Sequence, residues 1–281
     1  MEPNSTFEAL LSLRSDLALA LRAAAAQGLS EGVCNHFSVA VPGRADWFLL
    51  NPRGLHWSEV QAPDIVMCNA AGEQLAGRHP VEPSAMFIHA AVHRIAKKSV
   101  VLHTHMPHAT ALTLTAARAL DTGLSQTGMR FHGRVAVDAN YNGLALDMTE
   151  GERIANAMNG ADVVFLGNHG VIVCGERVDY AYDDLYYLER ACQDVQAAQL
   201  PQRRGVAHPS DTGVASVGLQ VGQVGLNQAH PRWILRRQCL LPSLKLPVKK
   251  AGLIGAPVVD VVVVETVGPV VLFGGVVVGI H

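Results

Sequence analysis

The chain has few of the features that would assign it quickly. Its five cysteines, at positions 34, 68, 174, 192 and 239, are odd in number and contain no Cys-x-x-Cys pair. That spacing argues against a disulfide framework and against a cysteine-only zinc site, and it fits reduced thiols in a cytoplasmic protein. Neither sign of charge is in excess. Lys and Arg number 22, Asp and Glu 24, and the net charge is −2. With no basic stripe to neutralise a phosphate backbone, nucleic acid is excluded as an expected partner. The N-terminal segment lacks a basic region followed by an unbroken apolar stretch, so it does not read as a secretory signal. There is no Gly-x-Ser-x-Gly elbow and no phosphate-binding loop. The Gly-rich "LFGGVVVG" lacks the strand–helix context of a dinucleotide fingerprint. A membrane span is not expected either. It needs roughly 20 continuous apolar residues, and Asp260, Glu265 and Pro269 interrupt the Val-rich C-terminal stretch.

What is present is a chain of 281 residues, 49% hydrophobic, long enough to bury a good-sized core. The opening segment reads as an amphipathic helix with a Ser5–Glu8 capping box, a Leu10–Leu13–Leu17–Leu21 stripe and a stop at Gly28. Two strands follow around Pro42-Gly43, then one helical turn in "SEVQA" and a strand–turn–strand in "DIVMCNAAGEQLAG". Residues 83–97 read as a helix with Pro at its start and lysines at its end. The apolar "SVVLHTH" reads as a strand ended by Pro107, and "PHATALTLTAARAL" as a helix. "RVAVDA" is a short strand, and Thr149 with Glu152 caps the next helix. "DVVFLGNHGVIVCG" is two strands about a turn, and the long segment from Asp179 is a helix with Leu185, Leu188, Cys192 and Val195 on one face. Several strand pairs are joined by short turns and must be antiparallel. The expectation is therefore an α/β fold with a mixed sheet. Residues 1–200 are expected to form one domain. Residues 201–281, rich in Gly and Val and without helical period, are expected to be an atypical and poorly ordered segment.

The chemistry gathers on histidine. His103 and His105 are two apart on an extended run, so they project from one face with Thr104 on the other. Two imidazoles so placed can share one metal ion. His108 lies beyond Pro107 and is less well placed. A third ligand must come from elsewhere, and His169 is the best candidate because a Gly-flanked turn between two apolar strands presents a side chain rigidly. The competing reading is that these imidazoles merely sit in a polar patch. A rival pair, His89 and His93, is one helical turn apart but lacks the Glu of His-Glu-x-x-His, so it reads as the polar edge of an amphipathic helix.

Taken together, "VLHTHMPHATAL", "FLGNHGVIVCG" and "LYYLERACQ" resemble the class II aldolase/adducin family over residues 7 to about 200. The resemblance implies a three-layer α/β/α sandwich on a largely antiparallel sheet. It implies a divalent metal, Zn2+ or Mn2+, Fe2+ or Co2+, held by His103, His105 and His169. It implies substrate contacts near Asn35, Gly54 and Ser84, with His36 as the alternative at the Asn35 position. It further implies a small hydroxy-carbonyl or sugar-derived substrate cleaved or decarboxylated through a metal-stabilised enediolate, in a homo-oligomer, most commonly a tetramer. One departure stands out. Aldolases of the family place a Glu acid/base where this chain has Ala85, and Glu82, three residues away, is expected to point elsewhere. The proton donor is thus unassigned, and a non-catalytic adducin-like scaffold with a structural or vestigial metal site is the alternative.

Overall fold

The computed structural model describes residues 3–199, apart from 141, 144 and 146, within one compact unit. The Gly/Val-rich segment 201–281 lies outside the described residues.

Eight strands form one sheet: β1 (His36–Val41), β2 (Arg44–Leu50), β3 (Val66–Asn69), β4 (Gln74–Ala76), β5 (Val100–Thr104), β6 (Val135–Asp138), β7 (Val163–Leu166) and β8 (Gly170–Gly175). Their order is β4-β3-β2-β1-β5-β8-β7-β6. All neighbours run antiparallel except β6 and β7, so the sheet is mixed, as the short connecting turns require. Helices α1 (Pro3–Ala26), α3 (Pro107–Thr113) and α6 (Val178–Gln199) cover one face, and α2 (Pro83–Arg94) and α5 (Met148–Ala157) cover the other. A single turn, α4 (Gln126–Met129), is capped by Ser125.

Period-two alternation decides which residue meets which layer. Phe37, Val39, Val100, Leu102, Phe165 and Val173 join Leu17, Leu21, Leu185 and Leu188 in the larger core. Val101, Val164, Ile172 and Cys174 face α2 and α5 through Ile88, Val92 and Ile154. His36, Ser38 and His103 share the parity of this second face, so the candidate site lies on the α2/α5 side.

Several local expectations are corrected. The first helix begins at Pro3, which puts Ser5 inside it rather than at its cap. "SEVQA" forms a turn followed by a 3-10 turn at Ala62–Asp64. The helix after Pro107 stops at Thr113, because Thr113 and Thr115 turn their hydroxyls onto the carbonyls of Thr110 and Leu112. Its N-terminus is closed by tertiary structure. The buried Glu189 carboxylate on α6 accepts from the amides of His108 and Ala109 at 2.8 and 2.9 Å. The cap of α5 is Asp147, which accepts from the Thr149 amide, two residues before the expected Thr149.

Candidate metal centre

β5 carries His103 next to its C-terminal end. It pairs with β1 on one side, placing His36 opposite His103, and with β8 on the other, placing His103 opposite Ile172. β5 ends at Thr104, yet His105 still projects beside His103, with ring centroids 5.0 Å apart. The β7–β8 turn supplies His169. Asn168 takes a left-handed φ of 58°, a conformation Asn tolerates, and the turn brings the His169 ring to 4.8 Å from both His103 and His105. The candidate ligand atoms of the three side chains all lie within 4.8 Å of one another.

The hydrogen bonds behind these rings select the atoms turned inward. His103 Nδ1 donates to the Val171 carbonyl at 3.0 Å. His105 Nδ1 donates to the Glu31 carboxylate at 2.5 Å. In each neutral ring the remaining lone pair is then on Nε2. His105 Nε2 is buried and has no partner, which is the condition expected of a ligand nitrogen. Burial pushes the His103 pKa well below its ordinary value. It brings His169 to about 4, where the nearby His105 imidazole adds to the effect. Neutral imidazole is the form that binds a metal, so the donor set fits a divalent cation.

The triad borders a cavity of about 500 Å3. Gly54 and Ser84 line it, with Gly54 at φ +83° and open space around its Cα. Asn35 does not. Its side-chain oxygen accepts from the amides of Glu31 and His105, and it is His36 that lines the cavity. Glu82, expected to point away, is turned into the cavity wall and pairs with Arg53 at 3.0 Å. Two further carboxylates line it, Asp138 at the end of β6 and Glu150 in the first turn of α5, both held by Arg153 at 2.7 and 2.6 Å. Arg153 keeps Glu150 below the ordinary carboxylate range. His108 is turned elsewhere, its Nδ1 paired with Gln196. His89 and His93 are no polar edge, since both are buried against the sheet. A second, more open groove of about 430 Å3 shares Glu31, His105 and His169 with the cavity.

Sequence reasoning missed Glu31, Arg53, Asp138, Glu150 and Arg153. Only Asp138 carried a visible signal, as an acidic residue closing an apolar strand. The others converge from loops and helix termini far apart in sequence.

An α/β/α sandwich with three imidazoles gathered beside a carboxylate-lined cavity offers a donor set that could hold a divalent metal. The chain belongs to the class II aldolase and adducin N-terminal domain family, whose description matches residues 15–195. A Pseudomonas aeruginosa protein, provisionally named a class 2 aldolase, is 32% identical over 188 residues, covering 66% of this chain and 71% of that one. The 4-hydroxy-3-prenylphenylpyruvate oxygenase/4-hydroxy-3-prenylbenzoate synthase of Streptomyces roseochromogenus is 31% identical over 221 residues, covering 76% and 78%. Among solved structures, an aldolase II superfamily protein from Pseudomonas syringae superposes with a TM-score of 0.75 at 29% identity, covering 85% of this chain and 92% of that one. Among the described residues no helix is long and apolar enough to cross a membrane.

Proposed function

We propose that this protein is a metal-dependent lyase-type enzyme acting by aldol cleavage or decarboxylation on a small hydroxy-carbonyl or sugar-acid substrate. The observation that carries the reading is the convergence of His103, His105 and His169, with His105 Nε2 buried and without a hydrogen-bond partner, on a cavity lined by carboxylates. Zn2+ is the proposed ion, and three imidazoles also suit Mn2+, Fe2+ or Co2+. When bound, the ion supplies a Lewis acid for a carbonyl oxygen.

The chain's own groups do the rest. Glu31 orients His105, and the Val171 carbonyl orients His103. Glu150, bound through both oxygens by Arg153, sets a fixed negative charge at the cavity wall. Gly54 leaves backbone room for substrate, and Ser84 offers a hydroxyl. The relatives named as an aldolase and as an arylpyruvate-transforming oxygenase and synthase support a carbonyl-bearing substrate class. We also propose a cytoplasmic homo-oligomer, with a tetramer favoured, built on residues 1–200. A monomer by light scattering would count against that assembly.

The position of Ala85 favours a second reading. It is buried with Phe48, Leu50, Val66 and Met86, so no proton donor acts there, as in a non-catalytic adducin-like scaffold. The test of both is turnover by the zinc-loaded protein of a panel of hydroxy-carbonyl and 2-oxo acid compounds, read as release of small carbonyl products or carbon dioxide. Product release supports the enzyme. A full metal site with no turnover across the panel supports the scaffold.

A further inference from the structure

His105 and His169 sit on separate pieces of chain that one short segment ties together. His105 leads through Met106 into α3, and the far end of that segment, residues 113–118, reaches the turn that carries His169. The Asn168 amide donates to the carbonyl of Thr113, the last residue of α3, at 3.4 Å. Arg118 grips the neighbouring residue. Its Nη1 donates to the Ala139 carbonyl, just beyond β6, at 3.3 Å. The same nitrogen fills the place a side chain on residue 167 would need. A Cβ on Gly167 would lie 2.5 Å from Arg118 Nη1 and 3.1 Å from the carbonyl oxygens of Asp138 and Ala139. Gly167 lines the cavity, and its amide donates to the Asp138 carbonyl at 2.7 Å. One guanidinium is therefore packed where the ends of β6 and β7 meet, two residues before His169.

The backbone at Arg118 is held in a costly conformation to put it there. Its φ is +57°, a region that residues other than Gly, Asn and Asp seldom enter. Local bonds hold the bend. The Arg118 amide donates to Thr115 Oγ1 at 3.2 Å, and that hydroxyl donates to the Leu112 carbonyl at 2.8 Å. Strain that the surroundings keep in place tends to gather at functional sites. Here the side chain it directs rests on the turn that presents a candidate metal ligand.

We propose that Arg118 is a positioning residue for the metal centre. Its guanidinium locks the β7–β8 turn onto the end of β6, so that residues 106–118 form a brace that sets His169 against His105. The residue acts through the turn and not on the bound molecule. Its effect on metal binding rests on the three histidines holding an ion, whereas the brace itself does not.

The test is Arg118→Gly in the full chain, which suits the left-handed backbone and removes the guanidinium. The metal-free variant is expected to keep its urea midpoint or raise it. Amide hydrogen exchange at residues 167–169, followed by NMR, is expected to be faster than in the wild type, with β5 unchanged. Zinc, titrated against a chromogenic chelator, is expected to bind about tenfold more weakly or worse. Arg118→Asn, which also tolerates this φ, carries the same expectations if the glycine variant fails to fold. Unchanged zinc affinity overturns the proposal. So does a weakening that comes with a lower urea midpoint, or one without faster exchange in the turn. Faster exchange in the turn, in a protein whose wild type binds no Zn2+, Mn2+, Fe2+ or Co2+, would instead keep the brace and sink the proposed metal-dependent lyase.

Discussion

Glu31 and His105, 74 positions apart in sequence, meet through a 2.5 Å contact in which the imidazole Nδ1 donates to the carboxylate. The bond fixes the ring and raises its basicity toward a metal. Such partners are typically worth about 10–100-fold in metal affinity. Glu31→Gln is therefore expected to fold normally, since the Glu31 side chain is 64% exposed, while binding zinc about tenfold more weakly or worse. Competition with a chromogenic chelator measures this, and unchanged affinity would refute the role.

Metal content is the most direct measurement. The purified chain is expected to hold one divalent ion per protomer, and His103→Ala and His169→Ala each to lose it, by elemental analysis after zinc-supplemented expression. His108→Ala, whose ring bonds Gln196 instead, is expected to retain it.

Gly170 opens β8 against the end of β5. A Cβ there would lie 2.6 Å from the Thr104 carbonyl oxygen and 2.7 Å from His105 Cδ2. Backbone cannot yield as a flexible side chain can, so Gly170→Ala is expected to destabilise by about 1–3 kcal/mol. It should also displace His105 and weaken metal binding. Urea unfolding and zinc titration of the same variant check both effects.

Acid should unfold the protein early. His93 titrates at about 4 in the folded chain and near its ordinary 6.5 once unfolded, and burial shifts His89 the same way. Below pH 6.5 the unfolded state binds the extra protons, so the stability these residues contribute is full above 6.5 and is lost as pH falls toward 4. Between pH 7 and 5 the loss is on the order of 2 kcal/mol for His93, and His89 acts in the same direction. Urea midpoints measured with chelator present should fall accordingly, and a flat profile over this range would contradict the buried neutral assignment.

Much of this centre was legible because its spacing is local. Period two put His103 and His105 on one side, and a Gly-flanked turn announced His169. The sheet was legible for the same reason, since Pro42-Gly43 and the Asn168 turn dictate antiparallel neighbours. The parallel pairing of β6 with β7 had no local signal. Asn35 and His36 show the limit more sharply. Adjacent residues on a chain entering a strand face opposite ways, and only the register with β5 decides which one meets the cavity. His89 and His93 looked like a polar helix edge because nothing in "FIHAAVHR" reveals Ser38 waiting beneath them. Glu82 was misjudged because its direction is set by Arg53, on a different loop.

Ala85 is 1% exposed and shares its apolar neighbourhood with Phe48, Leu50 and Met86. Glu at this position would place a carboxylate among hydrocarbon, where it would be neutral or would disrupt the packing. Ala85→Glu alone is therefore expected to add no working proton donor to the cavity.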